Sequence, residues 1–389
     1  MFDYNSALSE RAASIKPSGI RKFFDLVGTS KDVIALTVGQ PDFDTPWHIR
    51  NAGIKSLTEG RTYYTSNSGL PEFRNEIAAY QKRRFSLEYD PEKEIIVTVG
   101  GSEAIDLALR CLINPGDEVI VPEPSFVCYA PLVTLAGGTP VIIPLKQENQ
   151  FKLTAQELRS KLTPATKAVV LPFPNNPTGA VMGYEDLKAI AEVLSGTNIA
   201  VISDEIYAEL TFGSRHISIA SFDGMKERTI IVGGLSKSHA MTGWRLGYTL
   251  APEYFTKQML KIHQYGIMCA PTTSQYAAVE ALKNGDADVE YMKEQYDSRR
   301  KLILQGLREI GIMSYVPMGA FYVFPDISHF GMSSDEFCAR LFKEGKVAIV
   351  PGTAFGESGE GFARISYAYS IRHIEHALQR LKSFVNGLN

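Results

Sequence analysis

The chain has 389 residues, of which 44 % are hydrophobic and 21 % are charged, and its formal net charge is -3. This length suggests two domains, and so flat a charge balance argues against a nucleic acid or an anionic membrane as partner. No apolar run approaches the roughly 18 residues that a membrane span needs, and residues 1–10 lack the layout of a signal peptide. The four cysteines form no CxxC pair. We therefore expect a soluble cytoplasmic protein.

Between residues 90 and 250, short β-branched runs alternate with helical patterns. Most of the runs are apolar throughout, which is typical of strands buried on both faces of a parallel sheet. The predicted strands cover residues 95–99, 118–121, 139–144, 168–171, 199–203, 229–232 and 245–250. The predicted helices between them include 103–112, 155–161 and 184–194. This alternation predicts an α/β fold with a mainly parallel, seven-stranded sheet.

The pattern changes after residue 285. Apolar residues between Val289 and Ile310 recur at spacings of three, four and seven, which predicts one long amphipathic helix. Shorter strands at 321–324, 348–350 and 363–367 and a terminal helix over 371–381 follow. We therefore predict a large domain over residues 46–285 and a smaller α+β domain formed by residues 1–45 and 286–389.

The first candidate site follows strand 95–99, where Gly100, Gly101, Ser102 and Glu103 open a helix. Free N–H groups and the helix dipole attract an anion at such a position, and the two glycines allow it to approach closely. A helix that is simply capped by Ser102 explains the same residues without any ligand.

Two further strands end in polar residues. Asn176 follows strand 168–171 in a Pro-Asn-Asn-Pro-Thr-Gly stretch, which is either ordinary turn chemistry or the source of a side-chain donor. Asp204 follows strand 199–203, and a carboxylate there needs a partner such as a protonated ring nitrogen or an arginine. Tyr207 lies three residues on, on the same face of a turn. A structural ion pair is the alternative for Asp204.

The fourth feature is Lys237, which follows strand 229–232. Burial and neighbouring cations lower the pKa of such a lysine and make it a usable nucleophile or base. Arg245, in the same stretch, has the right chemistry to hold a phosphate. Ser236 before the lysine excludes a P-loop, and no GxGxxG occurs. An anion cradle, an acid, an amine and an arginine together match the needs of pyridoxal phosphate.

The sequence resembles class I aminotransferases, which belong to the fold type I family of pyridoxal-phosphate enzymes related to aspartate aminotransferase. The resemblance rests on residues 234–247 around Lys237 and on residues 39–43, 351–356 and 361–366, in family order and at family spacing. It spans almost the whole chain. It implies a fold type I architecture, pyridoxal 5'-phosphate as cofactor and a homodimer.

The resemblance also implies roles for residues around the cofactor ring. Lys237 matches the lysine that binds the cofactor covalently and moves the substrate proton, and Asp204 matches the carboxylate that keeps the pyridine nitrogen protonated. Tyr207 and Asn176 would hydrogen-bond the ring oxygen, and Phe126 would stack on the ring.

At the cofactor phosphate, the resemblance assigns Gly101, Ser102, the backbone of Glu103 and Arg245. Tyr64 matches the tyrosine that reaches the phosphate of the partner subunit.

At the substrate, Arg364 would bind the α-carboxylate bidentately, with Gly39 and Asn176 lining the same pocket. Gly234 departs from the pattern, because many relatives have a phosphate-binding serine there, and Ser236 is a candidate replacement.

These features predict an aminotransferase with a ping-pong mechanism that moves the amino group of an L-amino acid to a 2-oxo acid such as 2-oxoglutarate. Aromatic substrates rank first, because no arginine lies between Arg245 and Arg299 and Ser102 stands where acid-preferring relatives have lysine. Residues 18–23 resemble both aromatic and N-acetyl-diaminopimelate aminotransferases. An N-acetyl-L,L-diaminopimelate or aspartate aminotransferase and a C–S β-lyase remain alternatives.

Two other classes of function are not expected. A cofactor-sensing regulator on the same fold would need a DNA-binding domain, and only about 38 residues precede Gly39. His373 and His376 are three residues apart but have no evident third ligand, so we expect no metal site.

Overall fold

The computed structural model describes residues 4–17, 19 and 32–388. Most of residues 18–23, whose resemblance favours aromatic substrates, lie outside the described residues. The first strand, β1 (Ile34–Ala35), belongs to a small sheet. The next seven strands form the main sheet: β2 (Ile95–Thr98), β3 (Glu118–Glu123), β4 (Thr139–Pro144), β5 (Thr166–Leu171), β6 (Ala200–Asp204), β7 (Thr229–Gly234) and β8 (Gly247–Leu250).

The main sheet has the order β2-β8-β7-β6-β5-β3-β4. Strand β8 runs antiparallel to both of its neighbours, and the other pairings are parallel. The mainly parallel seven-stranded sheet is therefore confirmed. Several predicted boundaries were wrong by one or two residues, and the strand expected at 245–250 begins at Gly247. Arg245 has a left-handed backbone with φ 54°, which takes it out of the strand.

The strands of the main sheet are mostly apolar because helices cover both faces of the sheet. Val169 and Val201 face one buried cluster, whereas their neighbours Val170 and Ile202 face another. The described helices are α1 (Tyr4–Ala7), α2 (Glu10–Ser14), α3 (Trp47–Thr58), α4 (Pro71–Phe85), α5 (Gly101–Leu112), α6 (Tyr129–Ala136), α7 (Ala155–Lys161), α8 (Tyr184–Leu194), α9 (Glu253–Gly266), α10 (Thr272–Asn284), α11 (Asp286–Ile310), α12 (Ser334–Arg340) and α13 (Ile371–Asn386).

Two smaller sheets lie beyond the main one. Strands β9 (Tyr322–Val323), β11 (Val350–Pro351) and β12 (Ala363–Ser366) form an antiparallel sheet, whereas β10 (Val347–Ala348) pairs in parallel with β1. The single strand predicted at 348–350 was therefore wrong, because the chain passes from one small sheet to the other at this point. The predicted long helix is present as α11. The division into two domains stays a prediction.

The fold brings four chain segments to one edge of the main sheet. Strands β5, β6 and β7 run parallel, and β2 points the same way because it is antiparallel to β8, as β7 is. Their carboxyl ends therefore lie together, at the edge where open α/β sheets bind ligands. None of the helices in the described part of the chain combines the length and apolar character that crossing a bilayer requires.

Candidate active site

A cavity of about 310 Å³ opens at this edge of the sheet. All but two of the predicted site residues line it: Gly39, Gly101, Ser102, Phe126, Asn176, Asp204, Tyr207, Lys237, Arg245 and Arg364. The exceptions are Glu103, whose side chain turns away from the cavity, and Tyr64, whose side chain is exposed. The structure therefore brings together residues that are as much as 325 positions apart in the chain, as Gly39 and Arg364 are.

Lys237 lies in the turn after β7, and its Nζ donates to the carbonyl of Gly39 at 2.6 Å. Burial, with the positive charges of Arg364 and Arg245, lowers the pKa of Lys237 to about 8, and Asp204 opposes this shift. The amine is therefore much more readily neutral near physiological pH than an exposed lysine, and only the neutral amine is a nucleophile or base.

Asp204 ends strand β6 and is buried. Its Oδ2 accepts a hydrogen bond from the hydroxyl of Tyr129 at 2.7 Å, and its Oδ1 accepts one from the N–H of Ile206 at 3.2 Å. Burial raises the pKa of Asp204, and these two hydrogen bonds oppose the rise. The structural ion pair considered for Asp204 is absent, because no salt bridge reaches it from the described residues. Tyr129 was missed by the sequence analysis, because a tyrosine at the start of an apolar helix is typical of core.

The residues of the predicted anion cradle lie together at the start of α5. Gly100 has φ 79°, and a Cβ there would lie 2.6 Å from an Nη of Arg245, so glycine is what lets the guanidinium approach. The first N–H groups of a helix have no intrahelical acceptor and point towards this position. The alternative of a helix capped by Ser102 was wrong, because Gly100 is the capping residue and Ser102 lies within the first turn.

The structure explains why Gly234 departs from the family pattern. A Cβ on Gly234 would lie 2.8 Å from Ile206 Cδ1 and 3.1 Å from the carbonyl oxygen of Leu246. A serine would therefore require the Ile206 side chain to move and would crowd the carbonyl oxygen of Leu246. Ser236 lines the cavity instead, so its hydroxyl is available to a ligand.

Arg364, on strand β12, is only 2 % exposed. It donates to Asn176 Oδ1 at 2.9 Å and to the carbonyl of Thr37 at 2.5 Å, and its Nε has no partner among the described residues. No carboxylate of the described residues forms a salt bridge with it. A buried guanidinium that has only neutral acceptors is costly in isolation, so the cavity is suited to an anionic ligand.

Two tyrosines complete the wall of the cavity. The hydroxyl groups of Tyr207 and Tyr322 lie 2.8 Å apart, and the ring of Tyr322 lies 4.5 Å below the guanidinium of Arg364. Gly39 packs against the Tyr322 hydroxyl, where any side chain would collide. Tyr322 was also missed by the sequence analysis, since it occurs in an apolar run that predicts only a buried strand.

Asn176 is more than a turn residue. Because its Oδ1 accepts from Arg364, its Nδ2 group is free to donate into the cavity. The neighbouring Asn175 instead serves the turn, by donating to the carbonyl of Pro124 at 3.0 Å.

The model of the family "Aminotransferase class I and II" matches residues 31–381 of the chain. The chain is a class I aminotransferase. It is 47 % identical to a probable N-acetyl-LL-diaminopimelate aminotransferase of Bacillus subtilis, over 97 % of this chain and 95 % of that one. It is 46 % identical to an aspartate aminotransferase of Pyrococcus abyssi, over 97 % of each chain.

A solved structure of an aromatic aminotransferase from Pyrococcus horikoshii matches this aminotransferase with a TM-score of 0.90 and 44 % identity, over 94 % of this chain and 99 % of the other. Enzymes of this class use pyridoxal 5'-phosphate, which is therefore the cofactor of this aminotransferase. The cavity fits it chemically: an anion cradle with Arg245, a buried carboxylate at Asp204 and an amine at Lys237 all face one space.

Proposed function

We propose that this aminotransferase moves the amino group of an L-amino acid, with aromatic ones preferred, to a 2-oxo acid such as 2-oxoglutarate in a ping-pong mechanism. The observation that carries this proposal is the convergence of Lys237, Asp204 and Arg364 on one cavity. In the first half-reaction the amino acid leaves as its 2-oxo acid, and in the second half-reaction another 2-oxo acid takes up the amino group.

The reaction needs a group that accepts the amino group in the first half-reaction and returns it in the second. Pyridoxal phosphate, when bound, supplies an aldehyde that takes up the amino group and a ring that stabilises the electrons left when the α-proton departs. Asp204 would favour this by holding a proton on the pyridine nitrogen, and the hydrogen bond from Tyr129 favours the ionised form of Asp204. Phe126 covers the ring face, and Tyr207 and Asn176 donate to the ring oxygen.

Lys237 acts as both anchor and proton carrier. Its pKa of about 8 makes the neutral amine accessible, and this amine would hold the cofactor through its aldehyde and would move the α-proton of the substrate. The backbone of Gly101 and Glu103, the hydroxyl of Ser102 and the guanidinium of Arg245 hold the phosphate.

Arg364 positions the substrate by holding its α-carboxylate with two parallel N–H groups, next to Gly39. This contact fixes the bond to be broken relative to the ring.

The preference for aromatic substrates is supported by the cavity wall. Ile105, Phe126 and Pro172 give it an apolar surface. The cations among its described lining residues are Lys237, Arg245 and Arg364, each with another role, so none is left for a side-chain carboxylate. Aspartate and N-acetyl-L,L-diaminopimelate remain alternative substrates, and a C–S β-lyase remains the alternative reaction.

A homodimer is supported by an exposed apolar surface around Tyr64. Tyr64 is 79 % exposed, and its neighbour Tyr63 is 82 % exposed. Thr272 donates to the carbonyl of Tyr63 at 2.7 Å, which joins this loop to helix α10. Exposed aromatic groups of this size are typical of protein interfaces. We propose that Tyr64 reaches the phosphate site of a second subunit.

The cofactor test uses Lys237. The purified protein is expected to take up pyridoxal phosphate, and borohydride reduction should label a peptide that contains Lys237. Uptake by the apoenzyme should become faster as pH rises through about 8, because the neutral amine is the reactive form. Lys237→Ala should bind no cofactor covalently. A protein that never acquires the cofactor band would overturn the proposed function.

The substrate test is a panel of L-amino acids with 2-oxoglutarate. Phenylalanine and tyrosine should give the highest kcat/KM, and a higher value for aspartate would reverse the ranking. Release of pyruvate and ammonia from cystathionine, without amino transfer, would identify a β-lyase. Sedimentation at assay concentration should show a dimer, and a fully active monomer would contradict the role of Tyr64.

A further inference from the structure

Beneath the phosphate cradle lies a buried pair that no step of the proposed reaction uses. The carboxylate of Glu103, in the first turn of α5, turns away from the cavity and accepts the N–H of Val99 at Oε2. Its Oε1 lies 2.6 Å from Nδ1 of His263 on helix α9, and the His263 side chain is fully buried. The pair therefore links α9 to the residues immediately before and after Gly100.

The partners of His263 indicate which ring nitrogen donates. Its Nε2 is buried and has no partner among the described residues. A buried N–H without an acceptor would be costly, so a hydrogen on Nδ1 fits best. His263 then donates from Nδ1 to the carboxylate of Glu103 and orients it.

This orientation matters for the anion site. The N–H groups of residues 101–103 converge on one point only while the turn from Val99 to Glu103 holds its shape, and Gly100 makes that turn easy to deform. A carboxylate released from His263 could also swing towards the helix N-terminus, where it would compete with the phosphate for the same positive end of the dipole.

We propose that His263 is a positioning residue for the cofactor phosphate and acts through Glu103 on the turn that forms the cradle. This inference rests on the proposed function, because it assigns the cradle to the phosphate of pyridoxal phosphate. It concerns the binding of the phosphate group and not the chemistry at Lys237.

The experiment compares the Kd of full-length apoenzyme for pyridoxal phosphate and for pyridoxal, which has the same ring but no phosphate. His263→Leu removes the donor and should weaken pyridoxal phosphate binding about 10- to 30-fold, equivalent to about 1.4–2 kcal/mol. Its Kd for pyridoxal should stay within about two-fold of the wild-type value. His263→Asn carries a nitrogen donor on Cγ, as histidine does, and should restore most of the phosphate-dependent affinity.

The matched control is Met259→Ala on the same face of α9. Met259 is fully buried and packs in the cluster that includes Ala104 and Ala108 of α5, but it has no hydrogen-bond donor to offer Glu103. This variant should lower the thermal stability and leave both Kd values near wild type.

Two results would overturn the proposal. One is a loss of pyridoxal phosphate affinity in Met259→Ala that equals the loss in His263→Leu. This result would show that the packing of α9, and not the hydrogen bond to Glu103, controls the affinity. The other is a His263→Leu variant that binds pyridoxal phosphate like wild type, or that loses pyridoxal affinity to the same degree. If the wild-type protein itself bound no pyridoxal phosphate, the proposed function would fail rather than this inference alone.

Discussion

Replacement of Arg364 by lysine tests the carboxylate contact most directly. In the folded protein two of its N–H groups are committed to Asn176 Oδ1 and the Thr37 carbonyl, so the remaining N–H groups must serve the substrate. A lysine keeps the charge but has one ammonium group to cover all of these acceptors and no planar fork. At least one of the two hydrogen bonds to the substrate carboxylate should therefore be lost.

The loss of one charge-assisted hydrogen bond costs about 1.5–3 kcal/mol. At about 1.36 kcal/mol per decade, kcat/KM should fall about 13- to 160-fold. Because all amino acids share the α-carboxylate, the fall should be similar for phenylalanine, aspartate and alanine. The cofactor absorption spectrum should barely change, because the groups proposed to hold the cofactor are intact.

The matched control is Arg300→Lys, which replaces another buried arginine. Arg300 binds Asp297 at 2.6 Å and the carbonyl of Pro317 at 3.1 Å, away from the cavity. This variant should be less stable but should retain its kcat/KM. If Arg364→Lys lost activity towards one substrate class alone, Arg364 would bind the side chain of the substrate. Other residues would then bind the α-carboxylate.

Two further predictions follow from contacts seen only in the fold. Tyr129→Phe removes a hydrogen bond that favours the ionised form of Asp204, so the pKa of Asp204 should rise further. As a result kcat/KM should fall by about ten-fold or more. Unchanged activity would refute a role for this hydrogen bond. Burial lowers the pKa of His48, but its hydrogen bonds to Asp288 and Glu280 outweigh burial and raise the pKa above the ordinary value. The stability that His48 contributes is therefore complete below about pH 6.5 and is lost as pH rises through the raised pKa. His48→Gln should cost about 1 kcal/mol or less at pH 6 and less still at pH 9 in urea unfolding, and an equal cost at both pH values would show that the charge is irrelevant.

Most of the chemistry of the site could be predicted from the sequence, for a local reason. An apolar run that ends in Asp204 or is followed by Lys237 marks both a buried strand and the polar group at its carboxyl end. Parallel strands place these ends at one edge, so the acid and the amine could be expected to meet before any contact was known. The strands of the main sheet could be predicted from the same apolar runs.

The groups that orient this chemistry could not be predicted in the same way. Tyr129, Tyr322 and His263 occur in apolar or helical surroundings, where an aromatic ring or an imidazole is typical of core packing. Their hydrogen bonds to Asp204, Tyr207 and Glu103 join segments 75, 115 and 160 residues apart. Hydrophobic periodicity indicates which face of a helix or strand is buried. It does not indicate which atom of a distant helix or strand will lie against that face. A polar atom on such a face acquires its role only when tertiary packing brings an unpaired donor or acceptor within hydrogen-bond distance.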